Sequence, residues 1–139
     1  VDDDPLALEL VATQLEHMGI IPLSAHGGAE AIELAREHKP AIIMLDLMMP
    51  DLSGFDVVNA LQKYPETDSI PIIIVTAKVV SREDREMLNG NIYKIIEKSE
   101  FNSQTCRREV QRALKIKRQR SGPKDRRKRS PLIDRRQKK

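Results

Sequence analysis

Two unbroken apolar runs, each ending in a polar residue, constrain this chain more than anything else in it. Ala41-Ile42-Ile43-Met44-Leu45 runs into Asp46, and Pro71-Ile72-Ile73-Ile74-Val75 runs into Thr76. Short continuous runs bounded by turn signals read as strands buried on both faces, as in a parallel sheet with helices on either side. Pro50 and Gly54 halt the first run, and a helical pattern with Val57, Val58 and Leu61 facing inward follows it over roughly 54–63.

The remaining segments fit the same alternation. Pro5, with Asp4 as its N-cap, opens a helix carrying Leu8, Val11, Leu15 and Met18, which Gly19 stops. Ile20 to Leu23 reads as a short strand. Gly27-Gly28 leads into a second helix with Ala31, Ile32 and Ala35, closed at His38-Lys39-Pro40. Ser81, with Asp84 three residues on, caps another helix that Asn89-Gly90-Asn91 ends. Ile92 to Ile96 reads as the last strand, and Ser103 is expected to cap a final helix containing Val110, Leu114 and Ile116. The pattern predicts an α/β domain with a mainly parallel sheet and helices on both faces.

Charge divides the chain. From residue 107 onward there are 16 Lys/Arg against 3 Asp/Glu, leaving 8 against 18 before it, so the basic pI belongs to the C-terminus and the rest is acidic. Residues 118–139, rich in Lys, Arg, Ser and Pro, read as a disordered tail. Such a tail suits nucleic-acid phosphates or an acidic membrane surface by counterion release, yet it has no aromatic residue for base stacking. It is too short for a DNA-binding domain with its own core. A single cysteine, Cys106, excludes an internal disulfide, and no apolar run is long enough to span a membrane, so a reducing cytoplasm fits best.

In a parallel sheet all strand carboxyl ends share one edge, where ligands bind. Asp46, Thr76 and Lys98 each follow an apolar run and are expected there, joined by Asp2 and Asp3. Singly, each has a plain structural reading as a cap, a turn or a solvated charge. Together they suggest specific chemistry. Carboxylates held close together are kept ionised by a hard cation, and Mg²⁺ takes carboxylates with water and phosphate oxygens. Asp46 is a competent nucleophile toward a phosphoryl group, while Lys98 offers an ammonium and Thr76 a hydroxyl.

These residues resemble the receiver domain of bacterial two-component response regulators, over about residues 1–117. The marks are the acidic pair Asp2-Asp3, Asp46 in Asp-Leu-Met-Met-Pro-Asp-Leu-Ser-Gly, Thr76-Ala77 and Lys98, spaced by 30 residues from Asp46 to Thr76 and 22 from there to Lys98. The resemblance implies a doubly wound, flavodoxin-like sheet in the order 2-1-3-4-5. It implies that Asp46 accepts a phosphoryl group from a partner histidine kinase or phosphotransfer protein. It assigns Mg²⁺ to Asp46 and Asp3 directly, to Asp2 through water, and to the backbone carbonyl of Met48.

Three departures shape the expectations. No apolar run precedes Asp2-Asp3, so the first, central strand is missing or truncated, and an apolar run of about four to six residues is expected upstream in the intact protein. Ile95 stands where the family usually has an aromatic switch residue, with Tyr93 on the same face by alternation. Ser99 follows Lys98 where proline is common, and the Thr-Ala-Lys and Glu-Lys-Ser patterns resemble receivers of hybrid sensor kinases. The alternatives are a phosphorylation-independent interaction module on the same fold and a haloacid-dehalogenase-type phosphatase, whose Asp-x-Asp spacing Asp2 and Asp4 mimic.

Overall fold

The computed structural model describes the backbone of residues 1–88 and 92–120, and the side chains of all of these but 116–120. The turn expected at Asn89-Gly90-Asn91, the Ile116 side chain and the tail from 121 lie outside the described residues. The elements run α1 (Pro5–His17), α2 (Gly28–His38), β1 (Ile43–Leu45), α3 (Gly54–Gln62), β2 (Ile72–Thr76), α4 (Arg82–Met87), β3 (Ile92–Glu97), a 3₁₀ turn (Lys98–Glu100) and α5 (Ser103–Arg120). The three strands pair in parallel in the order β1-β2-β3.

The central strand β2 shows why a continuous apolar run was needed. All five of its residues are buried, and they alternate between two cores. Ile72 and Ile74 join Ile43 and Leu45 of β1 with Ala31, Ala35, Val57, Val58 and Leu61 from α2 and α3. Ile73 and Val75 join Ile96, Cys106, Val110 and Ala113, with Leu15 of α1 and its C-cap Met18 partly buried beside them. The domain is thus three layers, α2 and α3 on one face of the sheet and α1 and α5 on the other.

Local signals set most helix ends. Asp4 caps α1, its carboxylate accepting from the Leu6 N–H at 3.1 Å. Ser53 and Asp56 form a reciprocal capping box on α3, and Ser81 and Asp84 another on α4. α4 buries no residue, so its six residues rest on that box and on the Lys78–Asp84 ion pair at 3.0 Å. Lys39 leaves the α region before Pro40 by turning left-handed, at φ 47. The cap of α5 is Asn102 rather than Ser103: its side-chain oxygen accepts from the Thr105 N–H at 2.9 Å, which places Ser103 as the first helical residue.

Two further expectations need correction. Ile20 to Leu23 forms no strand; it is coil, with Ile21 almost fully exposed. A strand there needs a neighbour along its length, and only the residues next to Asp2 supply one. Val1 sits against β1 in parallel-ladder fashion, its nitrogen donating to the Met44 carbonyl at 2.6 Å and its carbonyl accepting from Asp46 N–H at 3.0 Å. On the other side Asp2 N–H donates to the Ala25 carbonyl at 3.1 Å. Upstream of that one bridging point, an apolar cavity of about 560 Å³ separates β1 from the 20–25 segment, lined among others by Leu8, Val11, Leu15, Ile20 and Ile43. Leu8 is accordingly the one buried residue of α1, while Leu6 and Leu10 stand exposed.

The second correction concerns Tyr93 and Ile95. They do not share a face: Ile95 packs with the α2–α3 core and Tyr93 with the α1–α5 core. The cause is a register shift. Ile72 pairs with Ile92 but Ile73 pairs with Lys94, so Tyr93 is the extra residue of a bulge and alternation restarts after it.

Candidate functional site

The carboxyl edge of the sheet gathers the residues expected there. Asp46 follows β1 and is only 4% exposed; Asp2, beside it through the Val1 ladder, is 7% exposed. Lys98 follows β3 and reaches across the edge, its Nζ 2.9 Å from Asp2 Oδ2 and 3.1 Å from Asp46 Oδ2. Fifty-two residues of chain separate Lys98 from Asp46, and the parallel topology alone brings them together.

Each carboxylate is held from behind. Asp46 Oδ1 accepts from the Met48 N–H at 3.1 Å, and Asp2 Oδ1 from the Asp4 N–H at 3.0 Å. Both are Asx-type turns, which fix a side chain through its own backbone two residues on. The outward oxygen of each is left to Lys98. Lys98 feels opposing influences: burial pulls its pKa down, but hydrogen bonds and charge from Asp2 and Asp46 outweigh this and hold it above the ordinary lysine value. It stays an ammonium throughout the physiological range.

Asp3 is exposed, yet it offers a carboxylate oxygen to a cluster in which one oxygen each from Asp2, Asp3 and Asp46 lie within 4.8 Å of one another. Three carboxylates face one ammonium, two of them nearly dry. An all-oxygen set carrying excess negative charge suits a hard divalent cation better than a transition metal. Met48 lies on the turn after Asp46, with its side chain 57% exposed.

Thr76 ends β2, completely buried, with its hydroxyl accepting from the Lys78 N–H at 3.2 Å. Register places it opposite Glu97, the residue before Lys98. The hydroxyl therefore restrains the loop that leads into α4, and the Lys78 side chain ties the same loop to Asp84. That second tie was not foreseen, although Lys78, Ser81 and Asp84 stand close enough in sequence to suggest it. Gly54 was read only as a stop signal. A Cβ on it would lie 2.6 Å from both the Asp46 carbonyl oxygen and Leu47 Cα, so α3 touches the backbone that carries Asp46.

Comparison with known proteins agrees with this geometry. The family model of the response regulator receiver domain matches residues 1–111. Protein PilH of Pseudomonas aeruginosa is 41% identical over 78 residues, 56% of this chain and 64% of PilH. The polar-differentiation response regulator DivK of Brucella anthropi is 33% identical over 98 residues, 70% of this chain and 80% of DivK. Among solved structures, the Vibrio cholerae chemotaxis protein CheY4 superposes with a TM-score of 0.73 at 25% identity, covering 81% of this chain and 92% of that one. A CheY-like receiver domain protein from Methanospirillum hungatei gives 0.76 at 22% identity, over 87% and 94%. No helix among the described residues is long and apolar enough to cross a membrane.

Proposed function

Because the chain belongs to the response regulator receiver domain family of two-component systems, we propose that Asp46 is its phosphoacceptor, taking a phosphoryl group from a phosphohistidine on a partner kinase or phosphotransfer protein. The observation that carries the assignment is the convergence of Asp2, Asp46 and Lys98 within 2.9–3.1 Å contacts at one sheet edge.

The residues present fit Mg²⁺ by their donor chemistry. Asp2, Asp3 and Asp46, with the Met48 carbonyl, would hold it, and the ion would neutralise charge on the transferring phosphoryl oxygens. The chain's own residues do the rest. An Asp46 carboxylate oxygen attacks phosphorus as the bond to the donor imidazole nitrogen breaks, and the imidazole keeps the electron pair. The Met48 N–H fixes the carboxylate's other oxygen, so one face is presented for attack. Lys98 then has a phosphoryl oxygen to pair with in place of the carboxylate oxygen that was consumed. The Thr76 hydroxyl stands at the carboxyl end of β2, on the same sheet edge. Turning it toward the phosphoryl group would release Lys78 N–H and loosen the loop before α4. With Ile95 in the α2–α3 core and Tyr93 displaced by the bulge, output runs through that loop and not through a rotating aromatic ring.

We read residues 1–117 as the phosphoacceptor unit, working in a reducing cytoplasm, with Cys106 buried and inert. The test is intact mass after incubation with Mg²⁺ and a small acyl phosphate. A gain of one phosphoryl group, lost in Asp46→Asn, supports the assignment. Modification at Asp2 would instead favour the phosphatase chemistry, and a folded sample that gains nothing would favour a phosphorylation-independent interaction module.

A further inference from the structure

α5 divides cleanly into two faces. Cys106, Glu109, Val110 and Ala113 are buried against the sheet. The exposed positions from Gln104 to Lys115 hold Arg107, Arg108, Arg112 and Lys115 beside two glutamines, and no carboxylate. The only acid in that stretch, Glu109, is 2% exposed; it accepts from Arg108 Nε at 3.2 Å and lies 4.0 Å from an Arg112 guanidinium nitrogen, which braces both arginines from beneath the outer face. The cationic side chains border one shallow groove. The helix continues to Arg120, and its sequence adds Lys117, Arg118 and Arg120, beyond the stretch matched by the family model.

We infer that the outer face of α5 binds the phosphate backbone of double-stranded nucleic acid, without base selectivity. The inference is independent of the Asp46 chemistry, because α5 starts at the strand carboxyl edge and its later turns lead away from that edge along the sheet.

The structure argues against two other anionic partners, a lipid surface and single-stranded nucleic acid. A membrane-surface helix needs an apolar face free to enter the lipid. Here the apolar stripe of α5 is already spent in the core, and no exposed large hydrophobic residue among the described ones lies on α5. Single-stranded nucleic acid is gripped by aromatic stacking platforms, and α5 carries no aromatic residue. What remains is a rigid row of cations. Arg108 and Arg112 stand one turn apart, about 6 Å along the axis, with Lys115 about 4.5 Å further. Duplex DNA carries a charge for about every 1.7 Å of its axis, so such a row meets several phosphates without first having to be ordered. Arginine also supplies forked donors that match phosphate oxygens.

Four phosphate contacts from α5 contribute about −3.6 to the slope of log K against log salt, and any contacts from the basic residues that follow add to it. The experiment is fluorescence anisotropy of the full chain with a labelled 20-base-pair duplex, titrated between 50 and 200 mM KCl. Affinity is expected to fall at least about a hundredfold across that range, and a duplex of unrelated sequence should bind equally. The double variant Arg108→Gln/Arg112→Gln should flatten the slope by about 2. Circular dichroism checks that it folds, and Arg107→Gln/Lys115→Gln serves as a second variant with no tie to Glu109. Unchanged affinity and slope in both variants would assign any binding to residues 118–139 and overturn the inference. Tighter binding to phosphatidylserine vesicles than to duplex, or no binding at 50 mM salt, would overturn it equally.

Discussion

Gly54→Ala is the substitution through which the packing of α3 can be felt at the phosphoacceptor. Gly54 is the first residue of α3, and its N–H donates to the Leu47 carbonyl at 3.0 Å. An added Cβ would sit 2.6 Å from Asp46 O and Leu47 Cα, and both of those atoms are backbone. No side-chain rotation can relieve that clash; either α3 backs away or the end of β1 shifts. Overpacking of this kind costs about 1–3 kcal/mol. Alanine returns up to about 1 kcal/mol through helix propensity and reduced freedom of the unfolded chain. The expected net loss is about 1–2 kcal/mol, which moves a urea midpoint down by about 0.5–1 M at a slope of about 2 kcal/mol/M. Acyl-phosphate labelling of Asp46 should slow at the same time, because the carboxylate moves with its backbone. Gly27→Ala is the control. Nothing lies within 4 Å of its Cβ and its φ of −168 is open to any residue, so its midpoint should stay within about 0.3 M of the parent. A Gly54→Ala midpoint no lower than that of Gly27→Ala would refute the reasoning.

Three more perturbations probe other links. Lys98→Met leaves Asp2 and Asp46 facing each other without their cation, and should cost about 2 kcal/mol, less than a fully buried pair because the lysine side chain is 33% exposed. Mg²⁺ should then raise the melting temperature more in the variant than in the parent; equal shifts would show that Lys98 and the metal do not share these carboxylates. Asp84 has its pKa lowered by its hydrogen bonds with Ser81 and Lys78, so the stability it lends α4 is present above the ordinary carboxylate pKa and lost as pH falls through its own lower value. Amide exchange in 82–87, normalised to the intrinsic rate, should rise below about pH 4 before the sheet opens, and unchanged protection there at pH 3 would contradict this. Extending the chain ahead of Val1 by five apolar residues should fill the cavity beside β1. Burial of even one large side chain is worth about 1.5–3 kcal/mol, so a melting temperature raised by less than about 5 °C would show that the cavity does not accept a strand.

The sequence was most readable where local pattern and tertiary context agree. Ile72 to Val75, a short apolar run between turn signals, reads as a strand buried on both faces, and the order of Asp46, Thr76 and Lys98 places them on one edge once the sheet is parallel. It was least readable where the outcome depends on a neighbour. Ile20 to Leu23 has strand composition but lacks a partner along its length, so it remains coil. Tyr93 lost its place because one bulge resets alternation, and no residue type in Ile92–Glu97 announces a bulge. Asn102 outcompeted Ser103 as a cap by one position, a margin that propensities for two good capping residues do not resolve. The burial of Glu109 on an otherwise apolar stripe was not read at all; only the helical phase shared with Cys106 and Val110 pointed to it.

The cavity beside β1 carries a thermodynamic consequence. In a strand, N–H and C=O of one residue point to the same side, so Met44, whose carbonyl takes the Val1 nitrogen, turns its N–H toward the cavity and away from β2. The cavity therefore lies where the apolar run expected ahead of Asp2-Asp3 would pair with β1. A strand laid there would add backbone hydrogen bonds to β1 as well as apolar burial, so both contributions would be lost together if it were withdrawn.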